Sequence, residues 1–311
     1  MINNFTILVS VFILSIFISP YYINGDQYHY RKVYEGLVDL SLMDGFVFYT
    51  MNLDSKEVVH FFLSWIFSNL NIDKDIFIAF SNALLAYGTV MLLRKWKVSI
   101  FIIALLVLTN FYFYVLYFAA ERLKYGFIFL IFSLLYGRYM YLFATLSIFS
   151  HIQMSVIYLS IFFDNVMKHI SKAIFYQKIN KNFLFIFLIS IVTIYILSFY
   201  LGSHFSLKFE HYNKEHGVFE AAKIFIFFIL SLWYSKNKKG VTMIFFPLFI
   251  AVFLIGGERV NMIGYFVFLY YALPINKGFN FGVLLTSAYF LAASFGFTIN
   301  IIEHGDGFYG N

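Results

Sequence analysis

Apolar residues in this chain run in unbroken blocks and do not alternate with polar ones. The blocks are Phe5 to Ile23, Ile76 to Leu93, Val98 to Phe118, Leu123 to Tyr136, Phe183 to Leu201, Phe219 to Tyr234, Val241 to Gly257, Val260 to Leu273 and Phe281 to Ile302. About 20 apolar residues in a helix cross roughly 30 Å of hydrocarbon, and a helix satisfies its own backbone polar groups there. The pattern therefore predicts about nine full spans. The first block has no basic stretch before it and ends in Ser19-Pro20, not in a small-residue cleavage site, so it reads as a retained helix.

Two segments depart from this scheme. Tyr139 to Phe163 carries His151 and Gln153 at its midpoint and reads either as one tilted span or as a short helical hairpin with His151 at its tip. Val58 to Leu70 is too short to cross alone and reads as an interfacial or re-entrant helix. The positive-inside rule favours a cytoplasmic N-terminus, a hairpin that returns to its starting side, and a Val58 to Leu70 helix that does not cross. Arg94, Lys95, Lys97, Arg138, Lys168, Lys172, Lys178, Lys181, Lys236, Lys238, Lys239 and Lys277 then lie inside with a single acid, Asp164. His29, His60, His151, His204, His211, His216 and His304 fall on the outer side with the remaining carboxylates, and only His169 lies inside.

Composition excludes a soluble enzyme. Hydrophobic residues make up 61% and charged residues 12%, about half the usual charged fraction of ~25%. The fold class is all-α: a polytopic transmembrane helical bundle forming a single integral membrane domain over residues 1–311. Cysteine is absent, which removes disulfides, thiol nucleophiles and thiolate metal sites. The net charge of +6 sorts into a strongly basic inner face and an acidic outer face. Chemistry confined to the outer face calls for a lipid-linked or extracytoplasmic substrate, not a nucleotide, and nothing suggests nucleic acid.

Four outward features carry candidate chemistry. Gly25-Asp26-Gln27-Tyr28-His29-Tyr30-Arg31 follows the first span, where an interfacial loop with aromatic anchors is the simpler reading. Glu121-Arg122-Leu123-Lys124 interrupts a stretch, Val98 to Tyr136, that would measure roughly 58 Å as one helix, so the chain turns there and holds Arg122 near membrane depth. His151 at a hairpin tip can face a wet cavity and accept a proton. Gly256-Gly257-Glu258-Arg259 joins two spans through a tight turn, and its guanidinium can grip phosphate bidentately. Asp73-Lys74-Asp75 resembles a metal-nucleotide element but fits better as the cap of the helix beginning at Ile76. His211 and His216, beside Glu210 and Glu215, lack zinc-helix spacing. No metal site and no cofactor is expected.

In combination these residues resemble the EpsG-like branch of the Wzy-type bacterial polysaccharide polymerases. The matching positions run in order: Asp26 with Tyr28 and Tyr30, Glu57 ahead of Val58 to Leu70, Arg94 to Lys97, Arg122 in Ala119-Ala120-Glu121-Arg122, His151 in Phe149-Ser150-His151, and Arg259 before Tyr265-Phe266. Departures are the missing extra N-terminal span, Ala120-Glu121 where Asn-Gln is common, and no Pro-Gly after Glu57. The resemblance implies an enzyme of the outer face of the bacterial inner membrane that extends O-antigen, capsule or exopolysaccharide. It would take a polyprenyl-pyrophosphate-linked oligosaccharide as substrate, with a chain-length regulator as a further membrane partner. It assigns Arg122 and Arg259 to the pyrophosphate with Arg31 in support, His151 or Asp26 to the acceptor hydroxyl, and Tyr28, Tyr30, Glu57 and Glu121 to substrate binding. A lipid-linked glycan flippase or transporter, or an O-antigen ligase-like enzyme, is the competing expectation.

Overall fold

The computed structural model describes residues 3–176 and 218–310. The expected span Phe183 to Leu201, the basic positions Lys178 and Lys181, and His204, His211 and His216 with Glu210 and Glu215 lie outside the described residues. Every regular element among those described is helical. They form two compact units, residues 1–154 with 273–311, and residues 155–272.

In the first unit α1 (Asn4–Ile18) starts on Asn3, whose side chain accepts the Thr6 N–H at 2.8 Å. It ends where Pro20 cannot continue the ladder and the chain tightens into a 3₁₀ turn. Three short helices follow: α2 (Gly25–Gly36), α3 (Leu42–Leu53) and α4 (Val58–Asn69). They share a small core of Val33, Leu37, Tyr49 and Phe61. The α4 helix matches the short helical segment expected, and Glu57 is its N-cap.

Helix α5 (Lys74–Lys95) is capped by Asp73, which accepts from the Asp75 and Ile76 N–H groups, and it closes on Arg94 and Lys95. Both ends complement the helix dipole, and the capping role expected of Asp73 is what is observed. Helices α6 (Ile100–Thr109) and α7 (Phe111–Tyr114) meet at Asn110, which leaves helical geometry and caps α7. A π turn, Val115–Ala119, leads to α8 (Glu121–Leu135), so the chain does turn at Ala120, next to Arg122.

Helix α9 (Met140–Ser150) lies against α8. Gly126 lets it approach: a Cβ there would lie 2.5 Å from Met154 Cγ, and Ser147 Oγ donates to the Gly126 carbonyl at 2.7 Å. The helix breaks at His151, whose backbone is extended, which fits a segment interrupted at its histidine.

The second unit holds α10 (Ser155–Tyr176), α11 (Val218–Tyr234), α12 (Lys238–Ile255) and α13 (Gly257–Ala272). Here α11 packs on α12 and α13, and α10 on α12. A 3₁₀ turn at Ile275–Gly278 returns the chain to the first unit, which α14 (Phe281–His304) completes.

Among the described residues, three helical stretches are long and apolar enough to cross a membrane, Asn4–Tyr21, Lys74–Lys95 and Ile275–His304. The α6–α7 pair, bent by 53°, makes a fourth if it counts as one span. The nine full spans expected are therefore not all of spanning length. The apolar blocks are helical, but breaks inside or beside them cut the helices short. Ala120 and Tyr136 leave α8 with 15 residues, about 22 Å. Gly256 and the turn after Ala272 leave α13 with 16.

Candidate functional site

Two ionisable groups from other elements of the first unit, Arg122 and His151, meet one carboxylate, Glu57. Glu57 sits at the start of α4, directly after the left-handed turn at Asp54 that ends α3. Its Oε1 meets His151 Nδ1, and its Oε2 lies 3.0 Å from Arg122 Nη1 and receives the Ser55 hydroxyl at 3.0 Å. Arg122, in the first turn of α8, also donates through Nε to the Tyr30 hydroxyl of α2 at 3.0 Å, its guanidinium 5.8 Å from that ring's centre. His151 Nε2 faces the Gln153 side-chain oxygen at 2.9 Å.

The electrostatics follow from burial and pairing. Burial by itself would push the Glu57 carboxyl up, but His151 and Arg122 outweigh it and hold the group well below the usual carboxylate range. Burial pushes the Tyr30 hydroxyl up to about 12 against the opposing pull of Arg122. Tyr30 thus stays a neutral donor and acceptor beside the guanidinium.

A second buried cluster adjoins the first through the neighbouring residue, Glu121. Its Oε1 accepts from Gln27 Nε2 at 2.9 Å, and its Oε2 lies 2.8 Å from Lys74 Nζ and 3.4 Å from His60 Nε2. Because a carboxylate only accepts, His60 Nε2 carries hydrogen, and in the neutral ring Nδ1 takes the Tyr49 hydroxyl, 2.9 Å away. Burial lowers the His60 pKa, with the Glu121 bond opposing.

Lys124, fully buried, donates to Asn82 Oδ1 at 2.7 Å and to the Tyr117 carbonyl at 3.3 Å, and Gln27 also donates to the Phe118 carbonyl. Both carbonyls belong to the π turn, whose wider spacing loosens the helical ladder. Lys124 and Gln27 therefore brace the turn that delivers Glu121 and Arg122.

Across the two clusters, Arg122 and Lys74 stand against two carboxylates, Glu57 and Glu121, with the buried Lys124 amine beside them. Arg122 offers a planar fork and His151 a proton-transfer group, side by side. Among the described residues no group of three or more His, Asp or Glu side chains is arranged to hold a metal ion.

Of the residues singled out from sequence, Arg122, His151, Glu57 and Tyr30 come together, and Glu121 lies in the adjoining cluster. Arg31 is elsewhere in the first unit, paired with Asp75 at 2.5 Å and donating to the carbonyls of Ser19 and Tyr22. Asp26 and Tyr28 are exposed on α2. Arg259 belongs to the second unit, in the first turn of α13 after Gly256, whose φ of 89° is one that side chains with a Cβ rarely adopt. The tight glycine turn expected there is present.

Sequence reasoning did not assign Gln27, Tyr49, His60, Lys74, Asn82 or Lys124. The available signal was polarity inside apolar helices, which is costly in a membrane and marks residues with partners. Comparison with protein-family models, curated proteins and solved structures finds no match.

Proposed function

We propose that the chain is a polysaccharide polymerase of the bacterial inner membrane, working at its extracytoplasmic face with the N-terminus in the cytoplasm. In this reading the apolar helices make about nine crossings, short ones included. The observation that carries the proposal is that Tyr30, Arg122, Glu57 and His151, four positions from the polymerase-like pattern, are linked in one chain of polar contacts in the first unit.

The reaction joins two lipid-linked repeat units. The acceptor sugar hydroxyl attacks the anomeric carbon of the donor glycan and a new glycosidic bond forms. The bond from that carbon to the pyrophosphate oxygen breaks, and polyprenyl pyrophosphate leaves with the bonding electron pair. Negative charge grows on the pyrophosphate, where a guanidinium stabilises it without a metal. Arg122 is assigned that role, and Arg259, which the resemblance alone brings in, is assigned as a second cation.

The acceptor's proton goes to His151. Its Nδ1 is held by Glu57, so Nε2 is the atom that takes the proton once the Gln153 amide turns its oxygen away, since that oxygen only accepts, and Glu57 stabilises the imidazolium that results. This geometry favours His151 over Asp26 as the base.

The test is glycan display in a strain lacking the native gene, complemented with variants at matched membrane levels. Arg122→Ala and His151→Ala should yield single-repeat caps with no ladder. Normal ladders from both would overturn the proposal, and single units accumulating on the cytoplasmic side would point to a flippase.

A further inference from the structure

Residues 22–73 lie between two helices of spanning length, and both of those helix ends are tied to each other and to α2. Ser19 Oγ donates to Asp75 Oδ1 at 2.7 Å, and Arg31 bonds both the Ser19 carbonyl and the same Asp75 carboxylate. Helices α2 to α4 are therefore held at one membrane face, at the ends of α1 and α5. Within this group α3 turns Tyr49 inward and Phe46 against Phe61, and its opposite face is left uncovered among the described residues. Met43 is 75% exposed, Val47 55% and Met51 80%, one helical turn apart along one side. The acids lie at the ends, Asp44 in the first turn and Asp54 just past the last, and the helix holds no basic residue.

We propose that α3 is a monotopic helix seated in the lipid of that membrane face, its Met43-Val47-Met51 side among acyl chains and its acidic ends at the headgroups. Twelve residues, about 18 Å, are too few to cross but enough to lie along the boundary. The apolar side is next to helices of spanning length, so the occupant it fits is the same bilayer they enter. Having no cationic side chain, α3 is held by apolar area and not by anionic headgroups. Lipid seating also fixes the depth of Glu57, which follows α3 within four residues. A substrate that arrives on a lipid anchor would meet it at that level.

The experiment uses the full-length protein in vesicles, and the chain's lack of cysteine lets single reporters be introduced. Met43→Cys and Met51→Cys, carrying an environment-sensitive fluorophore, should lose most of their emission in vesicles containing brominated phosphatidylcholine. They should also resist a membrane-impermeant maleimide. Lys56→Cys, exposed beyond the end of α3, should keep its emission and react. Replacing part of the phosphatidylcholine with an anionic lipid should leave the pattern unchanged. Reporters at 43 and 51 that react as readily as the one at 56 would overturn the proposal. So would reporters protected from maleimide yet unquenched by brominated lipid, which would mean that protein covers the stripe. Cross-linking of Met43→Cys between copies would identify that cover as a second molecule.

Discussion

Arg122 and His151 grip opposite oxygens of one carboxylate, Glu57, the guanidinium at 3.0 Å from Oε2 and the imidazole at Oε1. Neither partner is adjacent to Glu57 in sequence. The carboxylate fixes the distance between a phosphate-gripping group and a proton-transfer group, which suits it to positioning more than to direct contact with sugar.

That arrangement predicts non-additive energetics. Arg122→Gln leaves a half-buried carboxylate short of a partner and should destabilise the protein by about 1–3 kcal/mol. The Glu57→Gln, Arg122→Gln double variant should recover part of the loss, because no charge is left unpaired. Thermal unfolding of the four proteins in one detergent measures the coupling, and strict additivity would contradict the ion pair.

Acid sensitivity follows from the direction of the Glu57 shift. Its carboxyl is held below the ordinary 4.5, so the folded state binds the proton less tightly than the unfolded chain does. The resulting stabilisation is fully present above about pH 5 and is lost as pH falls through the lower folded value. Glu57→Gln should therefore show a smaller drop in unfolding temperature than the unsubstituted protein on acidification from pH 5 to pH 3. Equal drops would remove Glu57 from the acid response.

Close packing of α8 and α9 sets the position of His151. Gly126→Val would drive its side chain into Met154, where even a Cβ meets Cγ at 2.5 Å, at a cost of about 1–3 kcal/mol. Pushing α9 outward moves His151 from Glu57, so the glycan ladder should disappear while the protein remains in the membrane. Met154→Ala in the same chain frees the space and should restore the ladder. A full ladder from Gly126→Val alone would show that the α8–α9 spacing does not govern the site.

Much of this was legible in the sequence because it depends on local chemistry. The Asp73 cap, the break at His151, the short helix beginning after Glu57, the turn before Arg122 and the glycine turn at Gly256 all follow from neighbouring residues. What was not legible depends on helices that meet only after folding. Lys74 reads as part of a capping triplet beside Asp73, yet its ammonium turns to Glu121 because α5 packs on α8. Gln27 lies within the polar Gly25 to Arg31 segment, but its role as a brace on the Phe118 carbonyl needs the π turn, which no local pattern announces. Arg31, the expected support for a pyrophosphate, instead joins the ends of α1 and α5. Full-length spans were overcounted for a related reason: the length of an uncharged run sets an upper limit, while Asn110, Ala120 and Gly256 decide where helices stop.

The first unit is assembled from segments on both sides of residues 155–272. Tyr22 Oη donates to Asp306 Oδ1 at 3.2 Å, the Ile23 and Asn24 N–H groups both donate to the Gly305 carbonyl, and Asn24 Nδ2 donates to the His304 carbonyl. The entry to α2, which carries Tyr30, is thus latched by residues that a ribosome makes after the whole of residues 155–272. However early Glu57, Arg122 and His151 enter the membrane, this latch can close only once Asp306 has been synthesised, so the half of the protein that carries the site is finished after translation has passed that point.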